Sequence, residues 1–143
     1  MKKYFAKGLG FLSLVLLIIS ATTVFAVTSP TTNGVASLTT TSATLKGING
    51  DTMADASGEA VWWGPTSGGP FTPDVEPGVG TQLPSGWTGV FADTMDLNPS
   101  GAFSYDLSGL TPGTTYYFAV WSKVAGTWYP SSVTSFSTLS NTQ

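Results

Sequence analysis

The sequence predicts an all-β protein built as an antiparallel sandwich, and three observations support this prediction. Apolar and polar residues alternate with a period of two in several short runs, as they do in half-buried strands. Clusters of Gly, Pro, Asn and Ser separate these runs and mark turns. Aromatic residues make up 13% of the chain and are spread along it, so side chains for a sizeable core are available.

Residues 1–26 have the layout of an export signal. Lysines come first, an almost wholly apolar stretch follows at 9–19, and small residues lead to a cleavage site after Ala26. An uncleaved anchor is the alternative, because residues 8–27 could just cover the roughly 20 positions that span a bilayer. The mature protein is therefore expected to be exported, either to a periplasm, to the cell surface or into the medium.

Cleavage of this leader would change the charge of the chain. The mature part keeps Lys46 and Lys123 against eight acidic residues, which gives a net charge of −6. Two cations cannot neutralise a run of phosphates, so nucleic acid is not expected as a partner. A membrane is expected as a partner only through an uncleaved leader. There is no cysteine, so the core of this exported protein must hold without disulfides.

The strands of the mature part are predicted in order from the alternating runs. Residues 27–34 are expected to form a short linker, and the sandwich domain is expected to cover 35–143. In the third strand, Val61 and Trp63 should face the core and Trp62 should face outward. The predicted strands lie near 35–38, 42–47, 59–64, 102–107, 116–121 and 133–138, with a turn around Gly126 before the last one.

Residues 65–100 form an insertion rich in Pro and Gly. A structureless connection of this length is uncommon in a compact domain and is usually either functional or disordered. Trp87 and Phe91 argue against full disorder, because large apolar side chains gain by lying on the sandwich or on a partner. Short strands are predicted within the insertion at 88–92 and 94–97.

The turn after the 102–107 strand carries the most specific pattern in the chain. It reads Leu-Thr-Pro-Gly-Thr-Thr-Tyr from Leu110 through Pro112 to Tyr116. This pattern resembles the corner between the fifth and sixth strands of fibronectin type III domains in bacterial exported and surface proteins. The resemblance implies a fibronectin type III-like sandwich in which the Tyr116 hydroxyl bonds back to upstream backbone. Such domains typically need no disulfide, which agrees with the missing cysteines.

Residue types that are missing restrict the available chemistry. Without His or Cys there is no Ser-His-Asp or Cys-His arrangement, no thiolate nucleophile and no Cys/His zinc site. The chain is therefore expected to be no enzyme and to need no cofactor. Paired carboxylates of a small glycosidase remain a remote alternative, which needs a separation of roughly 5 to 10 Å. The nearest pairs in sequence are Asp74 with Glu76 and Asp93 with Asp96, and solvated surface acids are the favoured explanation for them.

Calcium binding is a further possibility in chemical terms, because Asn49, Asp51 and Asp55 place hard oxygen atoms in one loop. The spacing lacks the EF-hand pattern, since Met53 occupies a ligand position and no glutamate closes the loop at the required offset. Turn-forming Asn and Asp explain the same residues. No metal site is predicted.

Aromatic residues give a sharper hypothesis for binding. In the sandwich that the resemblance implies, the third and sixth strands are neighbours, so outward Trp62 should lie near Tyr117 and Trp121, with Trp128 close by. Flat rings on one sheet face could stack on the faces of sugars. The alternative is that the insertion folds over this face and buries the rings within the molecule.

These observations favour an exported, non-catalytic binding or assembly module that acts as a surface, adhesion or structural interaction domain. Its expected partners are other copies of the chain or surface proteins, with polysaccharide as a further candidate. The alternative function is a carbohydrate-binding module that uses the four aromatic side chains Trp62, Tyr117, Trp121 and Trp128.

Overall fold

The computed structural model describes residues 27–50, 58–79, 82–92 and 101–141. Within these ranges the chain forms eight β-strands, and no helix there is long and apolar enough to cross a membrane. The export signal predicted at 1–26 lies outside the described residues. The strands are β1 (Thr31–Ala36), β2 (Ala43–Ile48), β3 (Glu59–Gly64), β4 (Thr88–Ala92), β5 (Ala102–Leu107), β6 (Thr115–Val124), β7 (Thr127–Pro130) and β8 (Thr134–Ser137).

The strands make two antiparallel sheets. One sheet has the order β1-β2-β5, and the other has the order β4-β3-β6-β7, with β8 also paired to β6. The last two strands share one partner, because β7 pairs with the C-terminal part of β6 and β8 with its N-terminal part. This arrangement confirms the predicted all-β antiparallel sandwich.

Side chains from the inner faces of both sheets fill the sandwich core. Alternate residues of each strand point inward, as the period of two requires. Leu45, Val61 and Phe118 are almost fully buried, and burial of such a side chain contributes about 1.5–3 kcal/mol. The buried set is Ala43, Leu45, Val61, Phe103, Leu107, Leu110, Phe118, Val120 and Phe136, with Trp63, Tyr105 and Tyr116 packed against it.

The predicted corner lies between β5 and β6. The Tyr116 hydroxyl accepts a hydrogen bond of 3.0 Å from the backbone N–H of Thr111, as the resemblance implies. The Tyr116 ring stacks on Phe136 with 5.7 Å between centroids. Leu110 is buried in the core, while Pro112 precedes Gly113, whose φ of 62° closes the turn. The loop between β5 and β6 is therefore attached to the sandwich both by a hydrogen bond to its backbone and by the packing of Leu110 and Tyr116 in the core.

The beginning of the domain differs from the prediction. Strand β1 starts at Thr31, inside the segment 27–34 that was expected to be a linker. Thr31 and Thr32 pair with Ile48 and Gly47 of β2, and the Thr32 hydroxyl lies 2.5 Å from that of Thr134 in the other sheet. The backbone and hydroxyl hydrogen bonds thus extend the sandwich four residues upstream.

Near the end of the chain, one strand was missed. The turn around Gly126 is tighter than predicted, because Ala125 and Gly126 both have positive φ angles, of 50° and 86°. Two such residues form the two-residue turn that suits a β-hairpin. Strand β7 follows it directly, and the predicted last strand is the separate β8. Within the insertion, the strand predicted at 88–92 is confirmed as β4, while the one predicted at 94–97 lies outside the described residues.

Candidate functional site

The candidate site is the outer face of the five-stranded sheet. Trp62 of β3 lies opposite Ala119 of β6, and Ala60 lies opposite Trp121. Trp128 of β7 lies opposite Lys123 of β6. Residues directly opposite each other share a face of the sheet, so the pairing brings the predicted set Trp62, Tyr117, Trp121 and Trp128 to one side. The alanines between these rings leave a floor of small side chains.

Part of the insertion lies across this face, and we call its described residues, 65–79 and 82–87, the strap. Phe71 of the strap packs on Trp121 with 4.9 Å between ring centroids, and on Trp87 with 5.6 Å. The strap and the sheet thereby form a second hydrophobic core outside the sandwich. Its buried members are Ala60, Phe71, Trp87, Ala119, Trp121 and Trp128, and Trp62, Leu83, Tyr117 and Val133 pack against it.

The strap corrects the expectation of an exposed aromatic stripe. Trp121 is 0% exposed and Trp128 is 7% exposed, while Trp62 and Tyr117 are half-buried. The physical reason is that covering these rings with Phe71 and Trp87 removes a large apolar area from water. The alternative, in which the insertion folds over the face, is the arrangement found. A role of the four side chains in binding a ligand stays a prediction.

Hydrogen bonds within the strap hold it together as a unit. The Trp87 indole N–H donates to Thr66 O (2.8 Å), and the Thr66 hydroxyl donates to Ser85 O (3.2 Å). The Gln82 amide donates to Val75 O (3.4 Å). Among the described residues, a single hydrogen bond joins the strap to the sheet, from the Asp74 backbone N–H to Trp128 O (2.9 Å). Apolar packing is therefore the main attachment of the strap.

Two glycines allow close approach to the Trp62 indole. Gly78 of the strap has a φ of 83°, and a Cβ at this position would lie 2.5 Å from Cη2 of Trp62. Gly89 of β4 lies against the other part of the same indole, where a Cβ would clash with Cδ2. Non-bonded carbon atoms do not approach each other so closely. Only glycine therefore fits at these two positions without displacing the Trp62 ring.

Buried polar atoms without a hydrogen-bond partner are concentrated in this site. In the described part of the chain they are Nε1 of Trp62, Nε1 of Trp121 and Oε1 of Gln82. The first two are donors on the sheet face, and the third is an acceptor on the strap. Each unpartnered group costs about 1–3 kcal/mol, which partly offsets the apolar gain from closing the strap. The closed face is thus well packed but poorly satisfied in hydrogen bonding.

The rim of the site carries exposed apolar side chains beside one cation. Phe91 of β4 is 45% exposed, and its ring meets Trp62 edge-on at 6.2 Å and Trp128 at 5.7 Å. Val79, next to Gly78, is 57% exposed. The Lys123 ammonium lies 5.5 Å from the Trp128 ring centre, within the range of a cation–π interaction.

A buried polar cluster lies at the end of the sandwich and was not predicted. The Asn49 amide donates to Glu59 Oε1 (2.5 Å), and the Ser122 hydroxyl donates to Asn49 Oδ1. Glu59 is 2% exposed, and burial raises the pKa of its carboxyl, while the Asn49 hydrogen bond opposes this shift. Asn49, considered above as a calcium ligand, thus uses its side chain within the fold. Asp51 and Asp55 lie outside the described residues.

The carboxylate pairs are not assembled into a catalytic site by the described residues. Asp74 and Glu76 are both exposed on the strap, and Asp93 and Asp96 lie outside the described ranges. No group of three or more His, Cys, Asp or Glu side chains that could hold a metal ion is found where the structure is described.

Comparison with known proteins identifies the fold. No protein-family model matches the sequence, and no curated protein matches it. A computationally redesigned β-sandwich protein is similar in structure, with 20% identity, a TM-score of 0.57, and coverage of 82% of this chain and 96% of that chain. The fibronectin type III domain of human fibronectin type III domain containing protein 3 has 14% identity and a TM-score of 0.51, covering 84% and 94%. The chain has the fibronectin type III fold.

A bacterial sensor domain is among the similar structures as well. It belongs to the anti-sigma factor RsgI4 of Pseudobacteroides cellulosolvens, with 16% identity, a TM-score of 0.48, and coverage of 80% of this chain and 97% of that chain. At these identities the likeness is one of fold. Because fibronectin type III folds serve many unrelated functions, the function has to be argued from the site.

Proposed function

We propose that this chain is an exported, non-catalytic binding or assembly module with the fibronectin type III fold, and that its partner is a second copy of itself. The observation that carries the proposal is the apolar rim at β4. Phe91 of β4 and Val79, next to Gly78, are exposed large apolar residues. Phe91 and Gly78 both lie against the half-buried Trp62. Contiguous exposed apolar surface generally marks an interaction site.

Strand β4 lies at an edge of its sheet in the described part of the chain. Its partner among the described strands is β3 alone, so no described strand pairs with its other side. Proteins usually protect such edges with charged residues or proline. The residues Thr88–Ala92 contain neither. An edge of this kind is suited to pairing with another strand.

A second copy fits this edge by symmetry. In a two-fold dimer the same patch occurs on both subunits, and two β4 strands running antiparallel would place two Phe91 rings at the shared interface. Such pairing would satisfy the backbone groups of both edges and bury both rings. The mature charge of −6 opposes dense packing of whole surfaces, which favours contact limited to this uncharged edge.

Sedimentation of the mature chain across a range of concentrations tests this proposal. The native chain should associate reversibly, and Phe91→Lys should remain monomeric because it places a charge in the interface. Leu139→Lys is the matched control, since Leu139 is 52% exposed and lies outside the β4 rim, beside Thr39. A native chain that stays monomeric at high concentration, or equal association of both variants, would remove the proposal.

A further inference from the structure

We propose that the outer sheet face beneath the strap is a carbohydrate-binding site, in which the indole N–H groups of Trp62 and Trp121 donate to sugar hydroxyls when the strap lifts. This site adjoins the β4 edge, since Phe91 contacts Trp62 and Trp128, but sugar binding goes beyond the assembly function. It concerns the same four aromatic side chains that the sequence analysis singled out, now with the insertion as their cover.

The unpartnered groups define the chemistry of the ligand. Trp62 and Trp121 each offer one hydrogen-bond donor from the sheet face. A hydroxyl oxygen can accept from an indole N–H. The Trp121 side chain is fully buried, so its N–H needs a partner delivered to the face. Native proteins rarely leave such groups unpartnered without a reason.

The surroundings of these groups fit a ring with an apolar face. Tryptophan rings stand around the small residues Ala60 and Ala119, which leaves flat aromatic surface beside the donors. The face itself carries no carboxylate among its described members, and Lys123 lies at its Trp128 end. A neutral, hydroxyl-rich ring with an apolar side, which is a sugar, matches this combination.

The strap is built to leave the face as a unit. Its own hydrogen bonds, such as those from Trp87 and Gln82, stay inside it, and one hydrogen bond from Asp74 joins it to the sheet. As far as the described residues show, lifting the strap therefore breaks one hydrogen bond, separates Phe71 from Trp121, and removes Gly78 from Trp62. In exchange, both indole N–H groups become free to bond.

A closed strap lowers the apparent affinity in proportion to the fraction of open molecules. Weakening the strap should therefore strengthen binding, whereas it would weaken binding if the strap were part of the sugar site. Phe71→Ala removes the main contact of the strap with Trp121, and it should tighten binding by about tenfold or more. The direction of the change in sugar affinity therefore distinguishes a strap that is displaced by the sugar from a strap that contributes to the binding site.

The test is a titration of the ¹⁵N-labelled mature chain with soluble hexaoses of cellulose, chitin, xylan and laminarin, followed through its five indole N–H signals. At least one sugar should shift the Trp62 and Trp121 signals. The Trp63 signal should stay in place, because Trp63 packs in the sandwich core. Trp62→Phe keeps a ring but removes one donor and should weaken binding by about tenfold. Trp63→Phe, the matched control, should bind like the native chain.

A cysteine lock provides a second route if Phe71→Ala does not fold. A Cβ at Gly69 of the strap would lie 3.0 Å from Cγ2 of Val133, so Gly69→Cys with Val133→Cys places two cysteines in contact, at the cost of backbone strain because Gly69 has a φ of 77°. The oxidised pair should abolish the sugar-induced shifts, and reduction should restore them.

A flat response of the Trp62 and Trp121 signals to all four sugars would overturn the carbohydrate site. Weaker or unchanged binding in Phe71→Ala, or binding that survives the oxidised lock, would overturn the displaceable cover. Neither result affects the sedimentation test of the β4 edge, so failure of this inference and failure of the assembly proposal remain distinguishable.

Discussion

Glu59→Gln is expected to stabilise the domain at neutral pH and to remove a pH dependence that the native chain has. Glu59 begins β3 and is 2% exposed, with its Oε1 accepting from the Asn49 amide. Burial disfavours the charged carboxylate, and this raises the pKa of Glu59 above 4.5. Glutamine keeps an oxygen that can accept from the Asn49 amide. It carries no charge, so the free-energy cost of burying a charged carboxylate is absent.

The sign of the pH effect follows from proton binding. The pKa of Glu59 is higher in the folded than in the unfolded chain. At a pH between these two pKa values, the folded state therefore binds more protons than the unfolded state. Native stability should therefore fall with rising pH through that window and level off above the folded pKa. The slope from one such group reaches at most about 1.4 kcal/mol per pH unit. The difference between Glu59→Gln and the native chain should grow over the same interval.

Urea unfolding of both proteins at a series of pH values from acid to neutral measures this difference. Glu76→Gln is the control, because Glu76 is exposed on the strap and its replacement should leave the native pH profile nearly intact. Parallel stability curves for the native chain and Glu59→Gln would refute the reasoning, since they would mean that the Glu59 carboxylate is not buried at a cost.

Two further predictions concern single contacts. Tyr116→Phe should lower stability by about 1 kcal/mol, because the Thr111 N–H loses its acceptor. In thermal unfolding this corresponds to roughly 4 °C, and Tyr117→Phe, on the outer face, should shift the midpoint less. Gly78→Ala should displace the Trp62 indole and change tryptophan fluorescence, because the added methyl overlaps the ring. Gly109→Ala carries a similar backbone strain at a φ of 73° but meets no neighbour within 4 Å, so equal fluorescence in the two variants would contradict the close contact.

The sandwich could be predicted because the pleat of a strand is a strict local rule. Successive residues point to opposite faces, so the sequence alone separates Trp63, in the sandwich core, from Trp62, on the outer face. The first strand was predicted, but its start was placed four residues late, because this segment is rich in Thr and its register shifts between Thr32 and Val35. Strand β7 was not predicted because the tight turn before it requires a positive φ at Ala125. Alanine rarely adopts a positive φ, so the sequence does not indicate such a turn.

The site was harder to predict, since its cover depends on contacts between distant parts of the chain. Alternation brings Trp62, Tyr117 and Trp121 to one face, but no local rule says that Phe71 lies on Trp121. The buried Glu59 did leave a signal. It shares the inward face of β3 with Val61 and Trp63, and an acid at an inward position of a predicted strand indicates a buried polar cluster.

The strap covers the aromatic face and buries Trp121. Hydrogen exchange of the five indole N–H groups in D₂O is the sharpest test of this cover, because exchange of an enclosed N–H has to wait for opening. The Trp121 signal should persist long after that of a freely exposed indole would vanish, and Phe71→Ala should speed its loss. Exchange of Trp121 at the rate of an exposed indole in the native chain would contradict this cover.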